Sequence, residues 1–246
     1  MNRPGSLIPM QSIWVIVFIL ATVLTAVAHP VPAEQHDRRE KEKPVSQAHP
    51  EVLVYDVIID VGHGGIDGGA SAANILEKQL NLEIGAALYQ ELHKKGYKVG
   101  ITRLHDYALS DDSPFTHIQS RHRKDLAQRK LIADELRPKL FISIHMNMSS
   151  SSSARGPMIL YQDRAESYLL ADLLQTELNK LAQTRRQGKM TDYYFLLKHV
   201  TSPTIIAEVG YLSHPTERAK LQDPHFQTQT AQKMAEAIDH FFMLYP

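Results

Sequence analysis

No cysteine occurs among the 246 residues. The chain therefore has no disulfide, no thiolate metal ligand and no cysteine nucleophile, and any metal it holds must be bound by His, Asp or Glu. An excess of either charge is also missing, since Lys+Arg 27 balances Asp+Glu 27. Proteins that grip nucleic-acid phosphates usually carry a basic excess or patch, so nucleic acid is not expected as a partner. No internal repeat is present. With 43% hydrophobic and 22% charged residues, the composition is that of a folded domain rather than a disordered chain.

The N-terminus carries an apolar run that leads from Ile13 through Phe18 and Leu20 to Val27, with no charged residue between Arg3 and Glu34. Ala26-Val27-Ala28 stands just before His29-Pro30. This pattern predicts a secretory signal peptide over residues 1–28, or a membrane anchor that tethers the chain if cleavage does not occur. Either way the rest is expected to be extracytoplasmic. Residues 29–50 mix prolines with charges of both signs and predict a solvated linker. Residues 51–246 remain for one domain with a sizeable core.

Within that domain, Val52–Asp60 is rich in β-branched residues and predicts a buried strand. Leu80, Ile84, Ala87, Leu88 and Leu92 fall at helical spacing after Glu77. Further strands are expected at 98–102, 140–144, 158–161 and 204–207. Helices are expected at 121–136, 165–182, 215–221 and 224–244. Strands alternating with helices predict an α/β domain with a mostly parallel sheet and helices on both faces.

Open α/β sheets bind ligands outside the carboxyl ends of their strands. Three predicted strands end in chemistry-bearing residues: Asp60-Val61-Gly62-His63-Gly64-Gly65, Ser143-Ile144-His145-Met146-Asn147 and Ala207-Glu208-Val209-Gly210. Glu77 opens the first helix. Two histidines and a carboxylate make a catalytic metal set, with a second carboxylate free to act as base. Each residue also has a plainer reading. His63 can be a turn residue and His145 a satisfied core histidine. Glu77 can belong to a capping box with Asn74 as N-cap. Glu208 can sit in a salt bridge to Arg103 or Arg129. His117 and His122 lie near a helix start without ligand spacing. His214 is a candidate for the rim of the site, and the serine run Ser149–Ser153 for a flexible loop over it.

The order of these motifs resembles a known family. Asp60 to Ala70 (DVGHGGIDGGA), Glu77-Lys78, Thr102-Arg103, Arg129 with Ala133-Asp134, Ser143 to Asn147 and Glu208 to Ser213 are similar to the zinc-dependent N-acetylmuramoyl-L-alanine amidases of the amidase_3 family. The resemblance covers residues 52–243. Size and local stretches such as Lys124 to Arg129 and Leu196 to Pro203 are most similar to the CwlD-type sporulation branch, which strips stem peptides from spore-cortex peptidoglycan as a first step towards muramic-δ-lactam.

The resemblance implies one Zn2+ on His63, Glu77 and His145, with Glu208 as catalytic base. It implies peptidoglycan as substrate and leaves room for an activating partner protein. Asp60 is expected to orient a ligand histidine, Arg103 to pair with a site carboxylate, and Asn147 to stand near the substrate. Val61 departs from the family's usual Pro, His214 from its Asn, and Asp134 from the Asn of its Ala-Asn pair. Two competing functions share these residues: a zinc peptidase that cuts within the stem peptide, and a catalytically silent peptidoglycan-binding or partner-binding protein.

Overall fold

The computed structural model describes residues 54–246. The signal-peptide or anchor segment over 1–28 and the linker over 29–50 lie outside the described residues. The strands are β1 (Val57–Val61), β2 (Ser71–Ala72), β3 (Ile75–Leu76), β4 (Val99–Ile101), β5 (Leu140–Asn147), β6 (Met158–Tyr161), β7 (Lys189–Met190) and β8 (Thr204–Tyr211). The helices are α1 (Glu77–Lys94), α2 (Arg121–Leu136), α3 (Ala165–Ala182), α4 (Phe195–His199), α5 (Pro215–Leu221) and α6 (Pro224–Leu244). No helix among the described residues is long and apolar enough to cross a membrane.

Six strands form one sheet in the order β4-β1-β5-β8-β6-β7. β4, β1, β5 and β8 are parallel, whereas β6 runs antiparallel to β8 and carries β7 parallel to itself. The mostly parallel α/β sheet expected from the alternating elements is the one observed.

Side chains alternate across a strand, so each strand feeds two faces. Val57, Ile59 and Val61 join Leu140, Ile142, Ile144, Ile205, Ala207 and Val209 in the main core, together with residues of α1, α3 and α6. The intervening positions face the other way. Ile58 and Phe141 pack with Ala133 of α2 and with Leu196 and Val200 of and after α4. Asp60, Ser143, His145 and Glu208 share the parity of Ile58, Phe141 and Ile206. The polar residues thus fall on the α2/α4 side, where the sheet is covered more thinly. Burying apolar area contributes about 25 cal/mol per Å2, and most of it lies on the α1/α3/α6 side.

Three stretches of the chain differ from the sequence expectation. β1 begins at Val57, so Val54 and Tyr55, expected within it, precede it, and the Asp56 side chain accepts from the Lys98 N–H at 2.9 Å. β2 and β3 form a hairpin whose turn residues Ala73 and Asn74 take φ of 50° and 64°. Positive φ at both central positions is the two-residue hairpin geometry that usually calls for Asn-Gly. Asn74 is therefore a turn residue and does not cap α1, whose N-cap is Leu76 without a side-chain hydrogen bond. Finally, residues 189–199, where no element was expected, hold β7 and α4, which are too short to show a period.

Candidate metal centre

The end of β1 turns sharply. His63, Gly64 and Gly65 take φ of 60°, 140° and 58°. A histidine at positive φ is uncommon, and such strain gathers at functional sites where the surroundings enforce it. Two arginines enforce it here. Arg129 from α2 donates to the carbonyls of Val61 at 2.8 Å and His63 at 3.1 Å. Arg103 donates to the carbonyls of Val61, Gly62, Lys78 and His105. Both guanidiniums are buried. Lys78 adds a bond from its Nζ to the Gly65 carbonyl at 2.7 Å and pairs with Asp106 at 2.6 Å.

Held this way, His63 meets Glu77 and His145. One ligand atom from each lies within 4.8 Å of the others, the only such group of three among the described residues. His63 Nε2 is 3.2 Å and His145 Nδ1 2.9 Å from Glu77 Oε1. Donors on a tetrahedral zinc with ligand distances near 2.0–2.1 Å stand about 3.3 Å apart, so the spacing and the N,N,O donor set fit that ion. The far nitrogen of His63, Nδ1, bonds Asp67 Oδ2 at 2.8 Å. This is the carboxylate–histidine arrangement that fixes tautomer and ring orientation in metal sites.

Glu77 is itself fixed. Its Oε1 accepts from the Met146 N–H at 3.0 Å and from Asn81 Nδ2 at 3.3 Å, and its Oε2 accepts from the Ala70 N–H at 2.7 Å. Two glycines make room for the centre. A Cβ on Gly62 would fall on the His145 ring, and one on Gly69 would lie 2.6 Å from both Glu77 Oε2 and His63 Cδ2. Electrostatics follow the contacts. Burial opposes a charge on His63, but the bonds to Asp67 and Glu77 outweigh it and raise the imidazole to about 9. Burial likewise works against Glu77, and the two imidazoles overcome it and hold the carboxyl well below the usual range. The bond to His63 lowers Asp67 to about 2.

Glu208 lies across from His145 on the neighbouring strand and lines the same cavity of about 490 Å3. Its Oε2 is buried without a hydrogen-bond partner. Burial pushes its pKa up, partly offset by His145. Neither Arg103 nor Arg129 pairs with it. Unpaired buried carboxylates are costly and cluster at functional sites.

The remaining expectations fare differently. Asp60 does not touch a ligand imidazole. It pairs with Arg129 NH1 at 2.5 Å and accepts from Ser143 Oγ at 2.6 Å and Thr102 Oγ1 at 3.2 Å. Its link to the centre runs through Arg129 to the His63 carbonyl. Arg103 pairs with no site carboxylate, because backbone carbonyls take up its donors. Asn147 ends β5 beyond the bulge and uses its carbonyl to accept from the Leu212 N–H at 2.9 Å, without lining the cavity. His214 caps α5, its Nδ1 accepting from the Glu217 N–H at 3.3 Å, and is not a rim residue. None of the serines of Ser149–Ser153 lines the cavity.

Sequence reasoning missed His122 of α2 and the Tyr193-Tyr194-Phe195-Leu196 segment, all of which line the cavity. The adjacent tyrosines were the available signal, since paired exposed aromatics mark contact surfaces. His122 gave none, as its approach depends on how α2 packs.

The Amidase_3 family, described as N-acetylmuramoyl-L-alanine amidase, matches residues 57–240. The germination-specific N-acetylmuramoyl-L-alanine amidase of Bacillus subtilis is 33% identical over 188 residues, which is 76% of this chain and 79% of that protein. The CwlD amidase of Clostridioides difficile, solved in complex with the GerS lipoprotein, superposes with a TM-score of 0.71 at 29% identity, covering 77% of this chain and 99% of that one. The catalytic domain of CwlV from Bacillus (Paenibacillus) polymyxa var. colistinus gives 0.65 at 30% identity over 76% and 97%. With that extent of match in sequence and fold, the chain belongs to the N-acetylmuramoyl-L-alanine amidase family.

Proposed function

We propose that this peptidoglycan N-acetylmuramoyl-L-alanine amidase works with one zinc ion on His63, Glu77 and His145 and with Glu208 as its base. The observation that carries the reading is the placement of three converging donors and an unpartnered buried carboxylate around one cavity. The scissile bond joins the lactyl carbonyl of muramic acid to the amine of L-Ala. A zinc ion bound there would supply Lewis-acid polarisation of that carbonyl and lower the pKa of the attacking water towards about 7. Glu208 takes the proton of the attacking water and passes it to the leaving amine of L-Ala. Its burial favours the protonated form, which makes it a willing acceptor. Asp67 holds the His63 ring, and Arg103 and Arg129 hold the turn that carries it.

Spore-cortex maturation, the first step towards muramic-δ-lactam, is the proposed setting. The likeness to a germination-specific amidase and to a CwlD amidase supports it. The lipoprotein bound to the latter supports a protein partner for this chain as well. Action outside the cytoplasm, with residues 1–28 as signal or anchor, 29–50 as linker and 51–246 as the catalytic domain, agrees with the apolar N-terminal run.

Mass spectrometry of sporulation-type peptidoglycan treated with the zinc-loaded protein tests this. Intact stem peptides beginning at L-Ala are expected, and none with Glu208→Gln. Fragments cut inside the peptide would assign a zinc peptidase instead. Binding without release would assign a silent member.

A further inference from the structure

A second concave surface adjoins the metal cavity and is not used by the chemistry described above. It has a volume of about 680 Å3, within the range of small-ligand sites. Leu126 of α2 and Phe195 of α4 line both cavities, so the two adjoin at these side chains. The polar lining of the second comes from His117, Gln119, Ser120 and Arg123, and no Asp or Glu lines it.

Arg123 is exposed. The ion pairs within α2 join Arg129 to Asp125 and Lys130 to Asp134, and Arg123 takes part in none among the described residues. Ser120 caps α2, accepting from the Arg123 N–H at 3.3 Å, so the positive end of a 16-residue helix lies at the same wall. The groove therefore offers positive potential over a mainly apolar surface, with a guanidinium whose fork matches a carboxylate.

The two halves of the substrate differ in charge. The N-acetylated glycan has spent its lactyl carboxyl in the scissile amide, whereas the stem peptide carries free carboxylates. We infer that the stem peptide leaves the metal cavity past Leu126 and Phe195 into this groove, where Arg123 pairs with one of its carboxylates. The inference rests on the amidase reading and names where that substrate's peptide half is held. Arg123 is then a specificity residue for acidic over amidated stems, and it takes no part in bond cleavage.

Calorimetric binding of a released stem tests this without turnover. The probe is the tetrapeptide L-Ala-γ-D-Glu-L-Lys-D-Ala, compared with the same peptide amidated at its carboxylates, on the full zinc-loaded chain. Arg123→Glu should weaken the acidic peptide by about tenfold or more, the scale of a charge-assisted pair. It should leave the amidated peptide's Kd within roughly twofold of wild type. Lys124→Glu makes the same charge change on α2 but lines neither cavity, and it should leave both peptides within about twofold. Wild-type affinity for the acidic peptide in Arg123→Glu, an equal loss in Lys124→Glu, or no binding by the wild type would each overturn the inference. A chain that binds the acidic peptide through Arg123 but releases nothing from peptidoglycan would sink the amidase reading and leave the groove assignment standing.

Discussion

His145 and Glu208 are register partners on adjacent parallel strands, β5 and β8. Paired residues of neighbouring strands lie on the same face, with strands about 4.8 Å apart. A donor of the metal centre and the carboxylate proposed as base are thus aligned by backbone hydrogen bonding alone. Glu208→Gln keeps the shape of the side chain and removes its basicity. Turnover should fall by at least about a hundredfold, while zinc stoichiometry measured by atomic emission stays at the wild-type value.

The donors should not be interchangeable with the residues behind them. His63→Ala or His145→Ala should abolish stoichiometric zinc binding. Asp67→Asn leaves all three donors in place but loses the charge on the His63 Nδ1 side, and should weaken zinc by roughly 10–100-fold. Competition with a chromophoric chelator would give both values, and full zinc occupancy in His145→Ala would show that the ligand set is wrong.

Gly62 is a second route to the same loss. A Cβ there falls on the His145 ring and near the Ile144 carbonyl. Gly62→Ala should lower zinc affinity by displacing the ring, whereas Gly96→Ala, whose Cβ would meet nothing within 4 Å, should leave zinc unchanged. Gly96 has φ of 88°, so that control carries a cost in stability that thermal melting would report separately.

The Asp60–Arg129 pair should govern acid stability. Burial raises the Asp60 carboxyl, but Arg129 and Ser143 outweigh it and hold it below the ordinary range. The folded state therefore favours the ionised acid, and its contribution is present at neutral pH. It is lost as pH falls below the unfolded value of about 3.9 and through the lower folded one. Asp60→Asn leaves Arg129 buried with one carboxylate fewer, which should cost about 3–5 kcal/mol at pH 7. Urea titrations should show the gap between the two proteins narrowing as the pH drops below about 4.

Val61 occupies a position where the family usually has Pro, and its N–H donates to Thr102 Oγ1 at 3.0 Å. Val61→Pro removes that donor and should destabilise the β1 end by about 1 kcal/mol or more, read as a lower urea midpoint. No loss would mean that the Val61 N–H bond adds nothing to the bond that Thr102 Oγ1 already gives Asp60.

Much of this protein was legible in its residues. Apolar runs and helical spacing placed the sheet and the long helices, because burial imposes periods of two and of 3.6 residues on any chain that forms them. His63, Glu77, His145 and Glu208 stood out because strand ends are where α/β sheets bind ligands. The second layer was less legible. Asp60 and Asp67 both lie within four residues of His63 in the sequence, and only the left-handed turn decides that Asp67 meets the imidazole while Asp60 faces α2. Arg103 reads as a salt-bridge residue, yet it spends its donors on carbonyls, among them those of Val61 and Gly62, where the chain turns out of β1 at His63.

What the sequence determined by itself is the class of the long strands and helices and the donor types available, since both follow from local chemistry and the absence of cysteine. What only the tertiary structure decided is which residues meet. The hairpin at Ala73-Asn74 is fixed by the pairing of β2 with β3, whereas the approach of His122 to the cavity and the groove beside Arg123 depend on how α2 and α4 settle against the sheet. That packing is a sum of many weak, non-directional contacts between residues distant in the chain, and it leaves no period or motif in the sequence to read.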